Sequence, residues 1–185
     1  MAKDMGKVER NFEQITVIGS QQAINDIPGS ATFISDAELQ KFEFTDISRV
    51  LASVPGVYVQ EEDGYGLRPN IGMRGTGTGR NDKISVMEDG VLVAPAPYSA
   101  PSAYYFPTMG RMESIEVLKG AASVKYGPRT TGGVLNLLSR SLPTEPNSST
   151  GMLDAALGSD GYYKGHAYFA KEKNNTAGLI EVFTY

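Results

Sequence analysis

Few residues of this sequence are of types and spacings able to do chemistry. Gly75-Thr76-Gly77-Thr78-Gly79-Arg80 could cradle an anion, because bare backbone N–H groups can line a phosphate. The run lacks the G-x-x-x-x-G-K-[ST] spacing of a nucleotide loop, and it leads toward a hairpin instead of opening a helix. Glu61, Glu62 and Asp63 could hold a hard cation, but adjacent acids in a loop are ordinarily just solvated. His166 is the single histidine and lies mid-strand, so a His-centred triad or His cluster is poor, and the side chain is expected to face water or a polar lumen. Cysteine is absent, which removes disulfides, thiolate metal sites and Cys nucleophiles. No catalytic constellation, cofactor site or metal site emerges, and the chain is not expected to be an enzyme.

The elements that must position these residues belong to a turn-rich chain. Gly and Pro total 31 of 185 residues, and nearly all the excess over average usage is Gly. A net charge of −4 leaves no basic footprint for nucleic acid. No apolar run is long enough for a transmembrane helix, and MAKDMGKVERNF lacks the apolar stretch of a secretory signal. Residues 1–12 read as a polar, mobile tail. Glu13-Gln14-Ile15-Thr16-Val17-Ile18 is a β-branched run closed by Gly19, and on pattern alone it is an edge strand of the chain's own sheet.

Two helices follow. Ser35 and Glu38 form a capping box before Leu39, and Thr45 or Asp46 opens a stripe of Ile47, Val50, Leu51 and Val54 that Pro55-Gly56 stops. Strands are predicted at 57–59, 71–75, 84–88, 91–93, 114–118 and 134–138, with Asp89-Gly90 as a hairpin turn. Loops 61–70, 76–82 and 94–105 separate them, the last lying in a proline- and tyrosine-rich stretch of the length usually kept for function. After a linker at 144–149, three strand-length pieces rich in Tyr and Phe read as an up-and-down meander.

In order, EQITVIGS, DISRVLASVPGVYV, IGMRGTG, ISVMEDGVLV and RMESIEVLKGAASVKYGPRTTGGVLNLLSR resemble the plug domain of TonB-dependent outer-membrane receptors. The resemblance runs from about residue 13 to 143 and is most specific over Ile115–Arg140; within the family, ISVMEDGVLVAPAPYSAP and KYGPRTTGGVLNLLSR look closest to ferric-citrate-type siderophore receptors. It implies an α+β plug with a small mixed β-sheet and short helices, followed by the first antiparallel strands of a truncated β-barrel of twenty-two strands. The domains expected are a flexible tail with the TonB box at 1–20, the plug at 21–143, and a linker with the first barrel strands at 144–185. So few residues precede the box that no N-terminal signalling domain is expected, and the stretch after Pro143 is far short of the roughly 220 residues such a barrel needs.

The resemblance also assigns roles. Glu13, Gln14, Ile15, Thr16, Val17 and Ile18 become the TonB box, which pairs with the C-terminal domain of TonB by strand addition. Arg74 and Lys119 take the positions of cations that face barrel-wall carboxylates; the second is usually Arg, and Lys119 lacks the bidentate fork. Tyr65, Arg68, Arg80, Asn81, Tyr98 and Ser99 lie on the apical loops, where cations and donors suit a negatively charged ferric chelate, a siderophore or citrate, as ligand rather than cofactor. The expected place is the outer membrane of a Gram-negative cell, with the chain's own barrel as partner and no nucleic acid. The alternatives are a receptor for cobalamin or another metal chelate, and a soluble plug-like binding module without a barrel.

Overall fold

The computed structural model describes residues 15–41, 44–62, 68–93 and 106–184, with Arg80 described by its backbone alone. The expectations for Glu13, Gln14, Tyr65, Tyr98, Ser99 and the Arg80 side chain therefore lie outside the described residues. The chain divides into two compact units, one spanning Gln14–Arg140 and the other holding Ser141–Tyr185.

The first unit is α+β. Its strands are β1 (Ser30–Ile34), β2 (Val57–Gln60), β3 (Asn70–Met73), β4 (Ile84–Glu88), β5 (Val91–Leu92), β6 (Met112–Lys119) and β7 (Gly133–Ser139). Five of them form one mixed sheet in the order β1-β6-β7-β4-β5, with β4 and β7 parallel and every other neighbour pair antiparallel. β2 and β3 make a separate antiparallel pair. The β4–β5 hairpin turns at Asp89 (φ 49°) and Gly90 (φ 79°), the two positive φ values that a type I′ turn needs.

The helices are one turn or little more. In α1 (Asp36–Gln40), the Glu38 carboxylate reaches back to accept from the Ser35 N–H at 2.9 Å and the Ser35 hydroxyl at 3.1 Å. Asp46 caps α2 (Ile47–Leu51) by accepting from the Ser48 N–H at 2.8 Å. The stripe of Ile47, Val50, Leu51 and Val54 is buried in the larger core with Ile71, Met73, Ile84, Val86, Ile115, Val117, Leu135 and Leu137.

Alternation along the strands sends their other residues to the opposite face of the sheet. There Met87, Leu118 and Val134 form a smaller core with Val17 and Ile18, flanked by Ala23, Ile24, Ile27, Ala31, Ala122 and Tyr126. The N-terminal segment is thus the cover of the second core. This corrects two expectations: residues 15–18 form no β-strand, and residues 15–19 are not a free tail.

The second unit is an antiparallel meander of β8 (Ser149–Leu157), β9 (Tyr163–Lys173) and β10 (Thr176–Thr184), in the order β10-β9-β8. Its register puts Leu153, Leu157, Tyr163, Phe169, Ile180 and Val182 on one face, all exposed. Asp154, Lys164, His166, Glu172 and Glu181 take the other, where His166 Nε2 lies 2.9 Å from Glu181 Oε1. Residues ahead of β8 are tied in as well, because the Ser148 carbonyl accepts from the Glu172 N–H at 2.9 Å.

Candidate functional site

Two neighbouring strands of the five-stranded sheet place a carboxylate and an amide side by side, out of reach of solvent. Glu116 of β6 and Asn136 of β7 are register partners, and both are 0% exposed. Two such groups must be bonded or be strongly destabilising. The N-terminal segment supplies most of the bonds. The N–H groups of Val17, Ile18 and Gly19 donate to the Glu116 carboxylate at 2.6, 2.9 and 2.6 Å. Successive N–H groups converging on one anion make a nest. Asn136 Nδ2 donates to Glu116 Oε2 at 2.8 Å and to the Ile15 carbonyl at 3.3 Å, while its Oδ1 accepts from the Gly90 N–H at 3.0 Å. Tyr126 donates its hydroxyl to the Val17 carbonyl at 3.1 Å. Burial and the nearby Glu116 charge both push the Tyr126 pKa up, which keeps that donor protonated.

Gly90 explains how Ile15 can lie so near the hairpin. A Cβ at Gly90 would collide with Cγ2 and Cβ of Ile15, so glycine is what leaves room there. Ile15 itself is 59% exposed, while Val17 and Ile18 point into the smaller core.

Arg74 and Lys119, the two cations expected to face barrel-wall carboxylates, lie near one another. β3 ends at Met73, so Arg74 lies just beyond the strand, in the left-handed region at φ 52°. Its backbone N–H donates to the Gly56 carbonyl at 3.0 Å, and its guanidinium rests against Gly120, where a Cβ would be 2.9 Å from Nη1. Lys119, next in the chain to that glycine, is 2% exposed, and its ammonium donates to the Pro55 carbonyl at 2.6 Å. Burial first, then the Arg74 charge, push the Lys119 pKa below its ordinary value. Among the described residues no ion pair joins a carboxylate to either cation. The pair is therefore a concentration of positive charge with a carbonyl where a carboxylate would be expected.

The apical residues divide. Arg68 is exposed. Arg80 belongs by its backbone to the short 3-10 turn Gly79–Asn81. Asn81 is no surface donor: it is 1% exposed, and its Oδ1 accepts from the Ile71 N–H, tying that turn to β3. Its Nδ2 has no partner among the described residues. Among the described residues no group of acidic or histidine side chains could hold a metal ion. No described helix is long and apolar enough to cross a membrane, which leaves a β-barrel open.

Sequence reasoning missed Glu116 and Asn136. The signal was present as one charged and one amide residue inside the otherwise apolar runs Ile115–Leu118 and Val134–Leu138.

Residues 23–134, more than half of the chain, match the family described as TonB-dependent Receptor Plug Domain. The chain belongs to that family. The plug is 30% identical over 150 residues to a vitamin B12 transporter of Photobacterium profundum, a match covering 81% of this chain and 23% of the relative. It is also 30% identical over 146 residues to an iron-regulated outer membrane virulence protein of Vibrio cholerae, covering 75% and 21%. The chain thus spans less than a quarter of the length of these curated relatives. Among solved structures, the ferric citrate transporter FecA in its unliganded form aligns with a TM-score of 0.62 at 23% identity, over 90% of this chain and 29% of that one. The ferric yersiniabactin uptake receptor FyuA of Yersinia pestis aligns with a TM-score of 0.65 at 19% identity, over 84% and 24%. These likenesses carry the plug fold itself. The docked residues 15–19 lie ahead of the family match, and β8, β9 and β10 lie after it.

Proposed function

We propose that this chain is the gate of an outer-membrane receptor that takes up a ferric chelate, of siderophore or citrate type, with energy delivered through TonB at residues 13–18. The observation that carries the gate is the Arg74–Lys119 pair. Lys119 is almost fully buried, bonded to the Pro55 carbonyl, and lies beside the exposed Arg74; carboxylates on a barrel wall would balance that charge. The meander agrees with this reading, since an exposed apolar face backed by one that holds Asp154, Lys164, His166, Glu172 and Glu181 suits a wall between lipid and lumen. Basic and hydroxyl groups on the apical loops, Arg68, Arg80, Tyr65, Tyr98 and Ser99, suit a carboxylate-rich chelate, although Asn81 is withdrawn from that set by its burial.

Cobalamin is the second reading, favoured by the 30% identity to a vitamin B12 transporter. The two separate in one experiment. Cells making the intact protein are given radiolabelled ferric citrate, a ferric catecholate siderophore and cobalamin, with and without a proton-motive force. Energised accumulation of an iron chelate supports the proposal. Accumulation of cobalamin alone overturns the ligand class, and uptake indifferent to the proton-motive force overturns the TonB coupling.

A further inference from the structure

The exposed face of the meander is uneven along its length. Among the described residues of β8, β9 and β10, its only charged side chains are Lys171 and Lys173, because Asp154, Lys164, His166, Glu172 and Glu181 all take the other face. Both lysines are exposed, and no ion pair among the described residues engages either. Their register neighbours are small or hydroxylic: Ser149 and Gly178 flank Lys171, and Thr176 faces Lys173. A Cβ at Gly178 would meet nothing within 4 Å, so the surface beside Lys171 is open. Two ammonium groups and two hydroxyls around an open spot are donors suited to a phosphate. The rest of the face is apolar and ends on an aromatic ring, with Phe169, Ile180, Leu153, Val182 and Leu157 leading from the lysines to Tyr163.

β9 runs 11 residues from Tyr163 to Lys173, a length of about 34 Å. At a strand tilt of about 40° that is about 26 Å of height, close to the apolar band of about 25 Å on an outer-membrane wall. The connections at the two ends differ. Beside the lysines, Asn174 and Asn175 alone join β9 to β10, at φ 53° and 65°, whereas the longer stretch 158–162 joins β8 to β9 at the other end. Short turns lie on the periplasmic side of such walls and longer loops outside. That places the lysines at the periplasmic leaflet, which is built of phospholipid. We propose that Lys171 and Lys173, with the hydroxyls of Ser149 and Thr176, bind the phosphate of an anionic phospholipid in that leaflet. The lysine stems lie along the apolar band and carry the ammonium groups to headgroup level. The contact sets the depth of these strands, because drawing an ammonium into hydrocarbon or lifting Phe169 into water is unfavourable. The site rests on the reading of the chain as part of an outer-membrane receptor, since without a bilayer the face has no lipid to meet.

Photo-cross-linking of the intact protein in cells tests the site. The photoreactive residue p-benzoylphenylalanine replaces either Phe169, next to Lys171 on the exposed face, or Tyr163 at the far end. Lipid adducts are identified by mass spectrometry after illumination. At position 169 they are expected to be phospholipids, with the anionic phosphatidylglycerol and cardiolipin enriched about threefold or more over their share of the membrane. Lys171→Gln combined with Lys173→Gln should remove that enrichment and leave the adducts at position 163 unchanged. Phospholipid adducts in the membrane's own proportions would overturn the headgroup site, as would an enrichment that survives both substitutions. Lipid A adducts at position 169 would put the lysines in the opposite leaflet, and adducts to protein would make the face an interface between chains; either result overturns the proposal. The absence of lipid adducts at both positions would instead remove the bilayer, and with it the receptor reading on which the site rests.

Discussion

Replacing Asn136 by leucine tests the sheet centre most sharply, because one amide serves three partners. Its loss takes a donor from Glu116 (2.8 Å), an acceptor from the Gly90 N–H (3.0 Å) and a weaker donor from the Ile15 carbonyl (3.3 Å). A hydrogen bond to a charged group contributes about 1.5–3 kcal/mol, and each neutral group stranded in a buried place adds roughly 1 kcal/mol or more. The added apolar side chain offsets part of this, about 1–2 kcal/mol. A net loss of about 3 kcal/mol follows, or about 10 °C in Tm for a unit of this size. Unfolding followed by circular dichroism of the intact protein measures it. The companion variant Glu116→Leu and the double variant complete a cycle. Because replacing both buried partners by apolar groups is far less harmful than replacing one, the double variant should lose at least about 1 kcal/mol less than the sum of the singles. A Tm within about 2 °C of the parent for Asn136→Leu, or strict additivity in the cycle, would mean that the amide does not hold the sheet centre together.

Further predictions follow from neighbouring features. Ile15→Pro removes a ladder donor from the box, so energised chelate uptake should fall to background while chelate binding persists; uptake at the parent rate contradicts it. Gly90→Ala drives a Cβ into Ile15 at a position with φ 79°, and should lower stability by about 1–2 kcal/mol while speeding proteolysis at residues 15–20. Lys119 binds its proton less tightly in the folded state than in the unfolded one, so stability should rise with pH from that lowered pKa up to the ordinary 10.5. Lys119→Met should abolish that rise, and an unchanged alkaline slope in its unfolding curves would contradict the assignment. Arg80→Ala should weaken chelate binding to the intact receptor about tenfold, and an equal dissociation constant would remove Arg80 from the ligand loops.

Local signals made much of the fold readable in advance. The spacing of Ile47, Val50, Leu51 and Val54 foretold the buried stripe of α2, and Asp89-Gly90 foretold a hairpin whose two φ values are both positive. What resisted reading depends on register and on partners distant in sequence. Residues 15–18 have the β-branched composition of a strand, yet a carboxylate 98 to 99 positions away takes the N–H groups of Val17 and Ile18. Glu116 and Asn136 meet only because β6 and β7 pair in one register, and no local pattern states it. Asn81 sits in a Gly-rich polar loop and looked like an apical donor, but it is buried at a φ of 64° and accepts from the Ile71 N–H. The parallel pairing of β4 with β7 likewise joins segments separated by the whole of β5 and β6. The bond from Lys119 to the Pro55 carbonyl joins residues 64 positions apart, and no local pattern foretold it.

The central claim is that residues 13–18 add a strand to TonB. It is tested most directly by disulfide cross-linking between single cysteines, placed one at a time from Ile15 to Ile18, and a cysteine on the strand edge of the TonB C-terminal domain. Residues 1–185 contribute no competing thiol. Strand addition predicts cross-links that alternate in efficiency with a period of two residues. Uniform efficiency along the segment, or none at any position, would contradict it.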